Sequence, residues 1–149
     1  MKKISVVLVL LLFAGVLSAA VAAKTPQELV AELKADIPQM SVMELQMDMD
    51  FGEEFLIIDV RDEGEFAAGR IPGAIHVNFG KLFFTAGNYI PDKDATFIVN
   101  CAVGARSTIA ISILQELGYT NVIELTGGFR DWMNSGYDVE TDHGLFVKK

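Results

Sequence analysis

One stretch of the chain, residues 95–118, constrains the fold more strongly than any other. Its beginning, residues 97–100 (FIVN), is the short apolar run that is typical of a buried strand in a parallel sheet. Its end, residues 108–117, is apolar on nearly every side and is followed by Gly118, which indicates a buried helix with a glycine C-cap. Residues 101–107 (CAVGARS) separate the two, so the stretch predicts a strand, a tight loop and a helix.

The predicted loop begins with Cys101, the only cysteine of the sequence. Amides of a tight loop before a helix converge on one spot, with the positive end of the helix dipole behind them. They would hold a thiolate, or an anion attached to it, and favour a nucleophilic sulfur at neutral pH. Gly104 permits the tight geometry and Arg106 supplies a charge. An inert buried cysteine is the alternative, but open α/β sheets place their sites at this edge.

Strand and helix patterns alternate along the rest of the chain. Apolar runs predict three further strands: residues 55–60, 74–77 and 121–125. A short helix is predicted after Asn78, with Phe79, Phe83 and Phe84 packing inward. Alternation of this kind predicts an α/β fold, in which a central, mostly parallel sheet is flanked by helices.

The segment before these strands predicts two helices. Residues 24–37 form an amphipathic pattern, with Thr25 as N-cap, Glu28 completing a capping box and Pro38 ending the helix. A second short helix is expected from Ser41 onward.

No metal-ligand spacing is visible in the sequence. Three methionines, Met40, Met43 and Met47, are predicted on one face of the second helix, and thioethers suit Cu(I). Flexible core packing is the favoured interpretation, because no histidine or second cysteine is nearby. His76 lies within a predicted strand, which favours a structural role.

The N-terminus has the pattern of a secretory signal peptide. Lys2 and Lys3 precede an apolar run and a small-residue end, so we expect residues 1–23 to be removed, with cleavage after Ala22 or Ala23. An uncleaved anchor is the alternative. Export predicts a periplasmic or extracellular protein without a membrane contact after cleavage. Loss of the two lysines changes the net charge from −8 to −10, which disfavours binding to nucleic acid or an anionic membrane.

Four motifs in order along the chain resemble those of single-domain rhodaneses, a sulfurtransferase family. They are LIIDVR at 56–61, GRIPGAI at 69–75, the CAVGAR loop at 101–106, and VIEL at 122–125 followed by Gly127, Gly128 and Trp132. The resemblance implies a rhodanese-like fold, with helices on both faces of the sheet, over residues 41–137. Residues 24–40 then form an N-terminal helical extension, and residues 138–149 form a C-terminal tail.

The resemblance also implies a chemistry. Cys101 would take a sulfane sulfur from thiosulfate, a persulfide or a polysulfide, carry it as a persulfide, and pass it to cyanide or a thiol. A protein thiol is an alternative acceptor. No metal or dissociable cofactor is needed, because the cysteine carries the group. The residues expected to cradle the sulfur are Ala102, Val103, Gly104, Ala105, Arg106 and Ser107.

Two positions depart from the family pattern. Ala102 stands where many members have a basic residue, which predicts weak attraction for the thiosulfate dianion. Arg70 stands where histidine is more frequent, and it could either return positive charge to the pocket or remain a surface charge. Arg61 is a further supporting candidate, for which an ion pair with a neighbouring carboxylate is the favoured role.

Two other function classes remain open at the level of sequence. Phosphatases that share the rhodanese fold have five residues between cysteine and arginine, whereas four separate Cys101 from Arg106 here. The shorter loop suits a sulfur atom better than a phosphate. The other class is a non-catalytic module that senses sulfur or binds a partner, and persulfide formation would distinguish it from an enzyme.

Overall fold

A computed structural model describes residues 23–146, so the predicted signal peptide lies outside the described residues except for Ala23. The helices of this part are α1 (Pro26–Lys34), α2 (Val42–Asp50), α3 (Glu63–Ala68), α4 (Phe79–Tyr89), α5 (Ala105–Glu116) and α6 (Gly128–Asn134). The strands are β1 (Gln39–Met40), β2 (Leu56–Asp59), β3 (Ile75–His76), β4 (Phe97–Asn100), β5 (Val122–Leu125), β6 (Val139–Thr141) and β7 (Gly144–Phe146). Between residues 23 and 146, no helix combines the length and apolarity needed to cross a bilayer.

Five strands form a single parallel sheet in the order β1-β5-β4-β2-β3. The central strand, β4, has every residue buried, which explains its uninterrupted apolar run. Because all five strands run the same way, the loops after β2, β4 and β5 meet at one edge of the sheet. The α/β fold predicted from the sequence is confirmed.

Helices cover both faces of this sheet. Side chains alternate along β4, so that Ile98 packs in one cluster with Trp132 of α6, and Val99 packs in the other with Leu114 of α5. The two apolar layers bury both sides of the strands, which holds the carboxyl edge of the sheet rigid. Placement of helices on both faces, implied by the family resemblance, is therefore confirmed.

The first helix and the first strand tie residues 26–40 to this core. Thr25 and Glu28 form the predicted capping box at the start of α1, which packs against α5. The helix ends at Lys34, earlier than predicted from Pro38, and the chain then adds β1 to the edge of the sheet beside β5. A two-residue strand carries too few side chains to show an alternating pattern, so it could not be predicted from the sequence.

Two further segments differ from expectation. Helix α4 is longer than predicted, and Phe84 points to solvent with 88% of its surface exposed, so its predicted inward packing is wrong. Leu82 and Ala86 mark the buried face of α4, and Phe84 is two residues from each of them, so its side chain points about 160° away from theirs. In the C-terminal tail, β6 and β7 form an antiparallel hairpin.

Candidate active site

Cys101 directly follows the central strand, at the carboxyl edge of the sheet. Its side chain is almost fully buried, with 1% of the residue exposed. The backbone N–H of Gly104 donates a hydrogen bond to Cys101 Sγ over 3.2 Å, and Ser107 Oγ lies 3.5 Å from the same sulfur. Gly104 adopts a φ of 104°, which turns its amide back toward the cysteine and starts α5 at the next residue. The Gly104 amide thus donates to the sulfur, and the Ser107 hydroxyl, whose proton Gly104 O and Glu124 Oε1 also accept, lies within reach of it.

Of the residues predicted to cradle a sulfur atom, the structure brings Gly104 and Ser107 to Cys101 Sγ. Val103 is half exposed and lines an adjacent pocket together with Ala102. The predicted contribution of Ala105 to the sulfur cradle stays a prediction.

Helix α6 supports the loop from the opposite side. The N–H of Phe129 donates to the carbonyl oxygen of Cys101 over 2.8 Å, and the N–H of Arg130 donates to that of Ala102 over 3.1 Å. Gly128 has a φ of 62° and lies directly against the loop backbone. The sequence predicted Gly127 and Gly128 as a turn, but gave no sign that the second glycine allows the helix to approach the cysteine.

Arg106 does not face an open anion site, because two carboxylates occupy its guanidinium. Glu65 of α3 accepts two hydrogen bonds from it, of 2.7 and 2.9 Å, and Asp62 lies 3.5 Å away. The hydrogen bonds from Arg106 are the main reason why the pKa of Glu65 falls to about 2, and the same pair raises the pKa of Arg106. The arginine therefore fastens the start of α5 to α3.

Arg61 is buried and also paired. Its guanidinium lies 2.7 Å from Asp59 Oδ2, donates to the carbonyl oxygen of Gly69 and stacks over the ring of Phe129. Asp59 in turn accepts a hydrogen bond from Asn100, the last residue of β4. This network links the ends of β2 and β4 below the loop.

Arg70 is held by the C-terminal hairpin. Glu140 and Asp142 each lie 2.8 Å from its guanidinium, and its backbone exchanges two hydrogen bonds with that of Glu140. The pKa of Arg70 is raised, mainly by its hydrogen bond to Asp142. Arg70 does not line the pocket beside the cysteine loop.

An open pocket of about 360 Å³ lies beside the cysteine loop. Its lining is mainly apolar and consists of Arg61, Glu65, Ala68, Gly69, Ala102, Val103, Phe129, Arg130 and Met133. A larger hollow of about 480 Å³ surrounds His76 and Lys81, but no residue of the loop lines it. The smaller pocket is the candidate substrate site, because Ala102 and Val103 of the cysteine loop line it.

One buried carboxylate near the loop was not predicted from the sequence. Glu124 of β5 is fully buried, and its Oε1 accepts hydrogen bonds from Thr108 (2.7 Å) and Ser107 (2.9 Å). Lys34 of α1 places its Nζ 2.9 Å from the other carboxylate oxygen. A charged residue inside the apolar run VIEL was the available signal, because a buried charge requires partners.

The described part of the chain contains no apparent metal site. Within residues 23–146, no group of three or more His, Cys, Asp or Glu side chains is arranged to hold one. Met40 lies in β1, whereas Met43 and Met47 lie exposed on α2, so the single helical face expected for the three thioethers is wrong.

Comparison with known proteins places this site in a family. Residues 41–135 match the family described as Rhodanese-like domain. The thiosulfate sulfurtransferase GlpE of Actinobacillus succinogenes is 35% identical over 98 residues, which cover 66% of this chain and 86% of that protein. The putative sulfur carrier protein YrkF of Bacillus subtilis is 31% identical over 102 residues, or 68% of this chain, and the chain spans about half (54%) of YrkF. A solved protein of unknown function and possible tyrosine phosphatase from Rhodopseudomonas palustris has a TM-score of 0.69 at 25% identity, covering 76% of this chain and 92% of that one.

Proposed function

The chain belongs to the rhodanese-like domain family, and we propose that it is a sulfurtransferase that carries a sulfane sulfur on Cys101. The observation that carries this proposal is the environment of the thiol. The Gly104 amide and the Ser107 hydroxyl converge on Cys101 Sγ, in front of the N-terminus of α5. The Gly104 amide, and the Ser107 hydroxyl once its proton turns to the sulfur, would stabilise a thiolate or persulfide.

Two half-reactions make up the proposed cycle. The Cys101 thiolate attacks the outer sulfur of the donor, the donor's S–S bond breaks, and sulfite or a thiolate leaves with the electron pair. A thiophile such as cyanide or a thiol then attacks the terminal sulfur of the persulfide, and the Cys101 thiolate leaves. Electrons balance without an external oxidant, and the covalent intermediate predicts ping-pong kinetics.

The charges around the loop favour a persulfide or polysulfide donor over thiosulfate. Arg61, Arg70 and Arg106 are each paired with at least one carboxylate, which leaves the exposed Arg130 as the pocket-lining arginine outside the ion pairs of the described residues. Ala102 adds no charge, and Val103 adds apolar surface to the pocket. One exposed guanidinium gives only a weak field with which to attract thiosulfate to an acidic protein.

Phosphatase activity is a weaker candidate. Four residues lie between Cys101 and Arg106, and the arginine is engaged by Glu65. A phosphate would have to displace this carboxylate before it could use the guanidinium. A binding module is the stronger alternative, because Cys101 is almost fully buried and a donor must approach its sulfur through the loop.

Intact-mass spectrometry tests the proposal. After incubation with a polysulfide, the wild type should gain about 32 Da per transferred sulfur, and cyanide should remove it, as expected for a covalent carrier. Cys101→Ala is the matched control, because it removes the sulfur and leaves the loop backbone. A wild type that gains no mass from polysulfide, glutathione persulfide or thiosulfate would refute the enzyme and favour the binding module.

We also propose that the protein is exported. The support is the basic, apolar and small-residue order of residues 1–23. In protein secreted by a bacterial host, the intact mass should correspond to a chain that begins at Ala23 or Lys24. A mass that includes Met1 in a membrane fraction would indicate an uncleaved anchor instead.

A further inference from the structure

A buried carboxylate lies beneath the proposed sulfur site. Glu124 belongs to β5, has no exposed surface, and accepts hydrogen bonds from Ser107 and Thr108 at the start of α5. A negative charge at this depth is costly by itself, and it also opposes a second negative charge on Cys101 Sγ.

Lys34 supplies the compensating charge. Its Nζ lies 2.9 Å from Glu124 Oε2, although Lys34 is the last residue of α1 and its side chain remains one-third exposed. A Cβ atom built on Gly104 would stand 3.3 Å from Glu124 Oε1 and 3.6 Å from Lys34 Nζ. The ion pair therefore lies directly behind the residue whose amide donates to the cysteine.

The hydroxyl protons explain why this charge matters. Ser107 Oγ has one proton and three acceptors in reach: Gly104 O at 2.7 Å, Glu124 Oε1 at 2.9 Å and Cys101 Sγ at 3.5 Å. Thr108 Oγ1 also has one proton and two acceptors, Gly104 O at 3.0 Å and Glu124 Oε1 at 2.7 Å, and the shorter contact lets it satisfy the carboxylate. With Lys34 in place, the carboxylate is neutralised and Ser107 can turn its proton to the sulfur. Without Lys34, the carboxylate competes for this proton and repels the thiolate.

We propose that Lys34 is a positioning residue of the active site, which holds Glu124 so that Ser107 can stabilise the charged sulfur of Cys101. This inference rests on the proposed function of Cys101. It brings α1, which lies outside the residues 41–135 that match the family, into the catalytic machinery. Of the remaining charges around the loop, Arg106 is paired with Glu65 and Arg61 with Asp59, whereas Arg130 is exposed beside the pocket and is in no ion pair of residues 23–146.

The pH profile of Cys101 alkylation by iodoacetamide tests this role. Glu124 Oε1 lies 2.9 Å and Cys101 Sγ 3.5 Å from Ser107 Oγ, so the two atoms are at most about 6.4 Å apart, and Lys34→Met should move the midpoint upward by about one pH unit. Alkylation and persulfide formation below the midpoint should then slow about tenfold. Lys34→Arg, which keeps the charge, should restore both.

Two further variants distinguish an effect of the Lys34 charge from an effect of a structural change. Lys34→Met combined with Glu124→Gln removes both charges and should return the midpoint to within a few tenths of the wild-type value. Lys24→Met, which removes a lysine that pairs with Glu32 on the surface of α1, should leave it unchanged. An unshifted midpoint in Lys34→Met, or a shift that the double variant does not reverse, would overturn the proposal. Alkylation requires no sulfur donor, so it tests Lys34 even if the proposed transferase activity fails.

Discussion

The contact between Gly128 and the cysteine loop yields a sharp prediction. A Cβ atom at Gly128 would stand 3.0 Å from both Ala102 C and Val103 N, and nearer still to the carbonyl oxygen of Cys101. All three atoms belong to the backbone, so none can rotate away. Gly128→Ala must therefore displace the loop, or displace α6 from it.

The structure sets the size of the effect. An alanine at a φ of 62° costs about 1 kcal/mol in backbone strain, and overpacking adds about 1–3 kcal/mol, so the free energy of unfolding should fall by about 2–4 kcal/mol. Restoring ordinary contacts requires a movement of about 0.5–1 Å. A displacement of this size at a reacting group can lower the rate about 100-fold, which we expect for kcat/KM of sulfur transfer.

Gly136→Ala is the matched control. Gly136 follows the other end of α6 with a similar φ of 79°, but no heavy atom of residues 23–146 beyond its chain neighbours lies within 4 Å of the position of an added Cβ. This variant should lose about 1–2 kcal/mol of stability and keep kcat/KM within about threefold of wild type. The assays are urea unfolding and transfer of sulfur from polysulfide to cyanide, at a temperature where near-ultraviolet circular dichroism shows both variants folded. Equal activity in the two variants would refute the argument that Gly128 positions the loop.

Two other predictions follow from the charges at the loop. Hydrogen bonds from Arg106 lower the pKa of Glu65 to about 2, so the pair should stabilise the fold fully above about pH 4.5 and lose this contribution as the pH falls toward 2. Glu65→Gln should cost up to about 1 kcal/mol in urea unfolding at pH 7, because the pair is partly exposed, and almost nothing near pH 2; a constant difference would contradict the pairing. Ala102→Lys should raise kcat/KM for thiosulfate about fivefold at low salt, and an equal gain at 0.5 M salt would show that charge is not the cause.

The sequence predicted the centre of the molecule well. The apolar run of β4, the glycine that ends α5 and the loop between them are local signals, because each depends on residues close in the chain. The capping box of Thr25 and Glu28 is equally local, and the structure confirms it. Cys101 therefore stands where the pattern placed it, between a buried strand and a helix.

The partners of the charged residues could not be predicted in the same way. Arg106 lies five residues after the cysteine in sequence, but its position relative to Glu65 depends on how α3 and α5 are placed by the sheet. Arg70 likewise meets Glu140 only because the C-terminal residues return as a hairpin. Ion pairs between distant segments produce no periodic pattern in the sequence. From the sequence alone, any exposed carboxylate is an equally good candidate partner for an arginine.

Glu124 lies between these two cases. Its place in an apolar run shows that a buried charge must be compensated, but it does not show by which residue. Lys34 reaches it because α1 packs against α5 and because β1 then leads the chain to the strand that carries the carboxylate. Removing α1 would take away the cation that pairs with this carboxylate. We therefore expect a chain reduced to the family-matching residues 41–135 to lose reactivity at its cysteine even where it still folds.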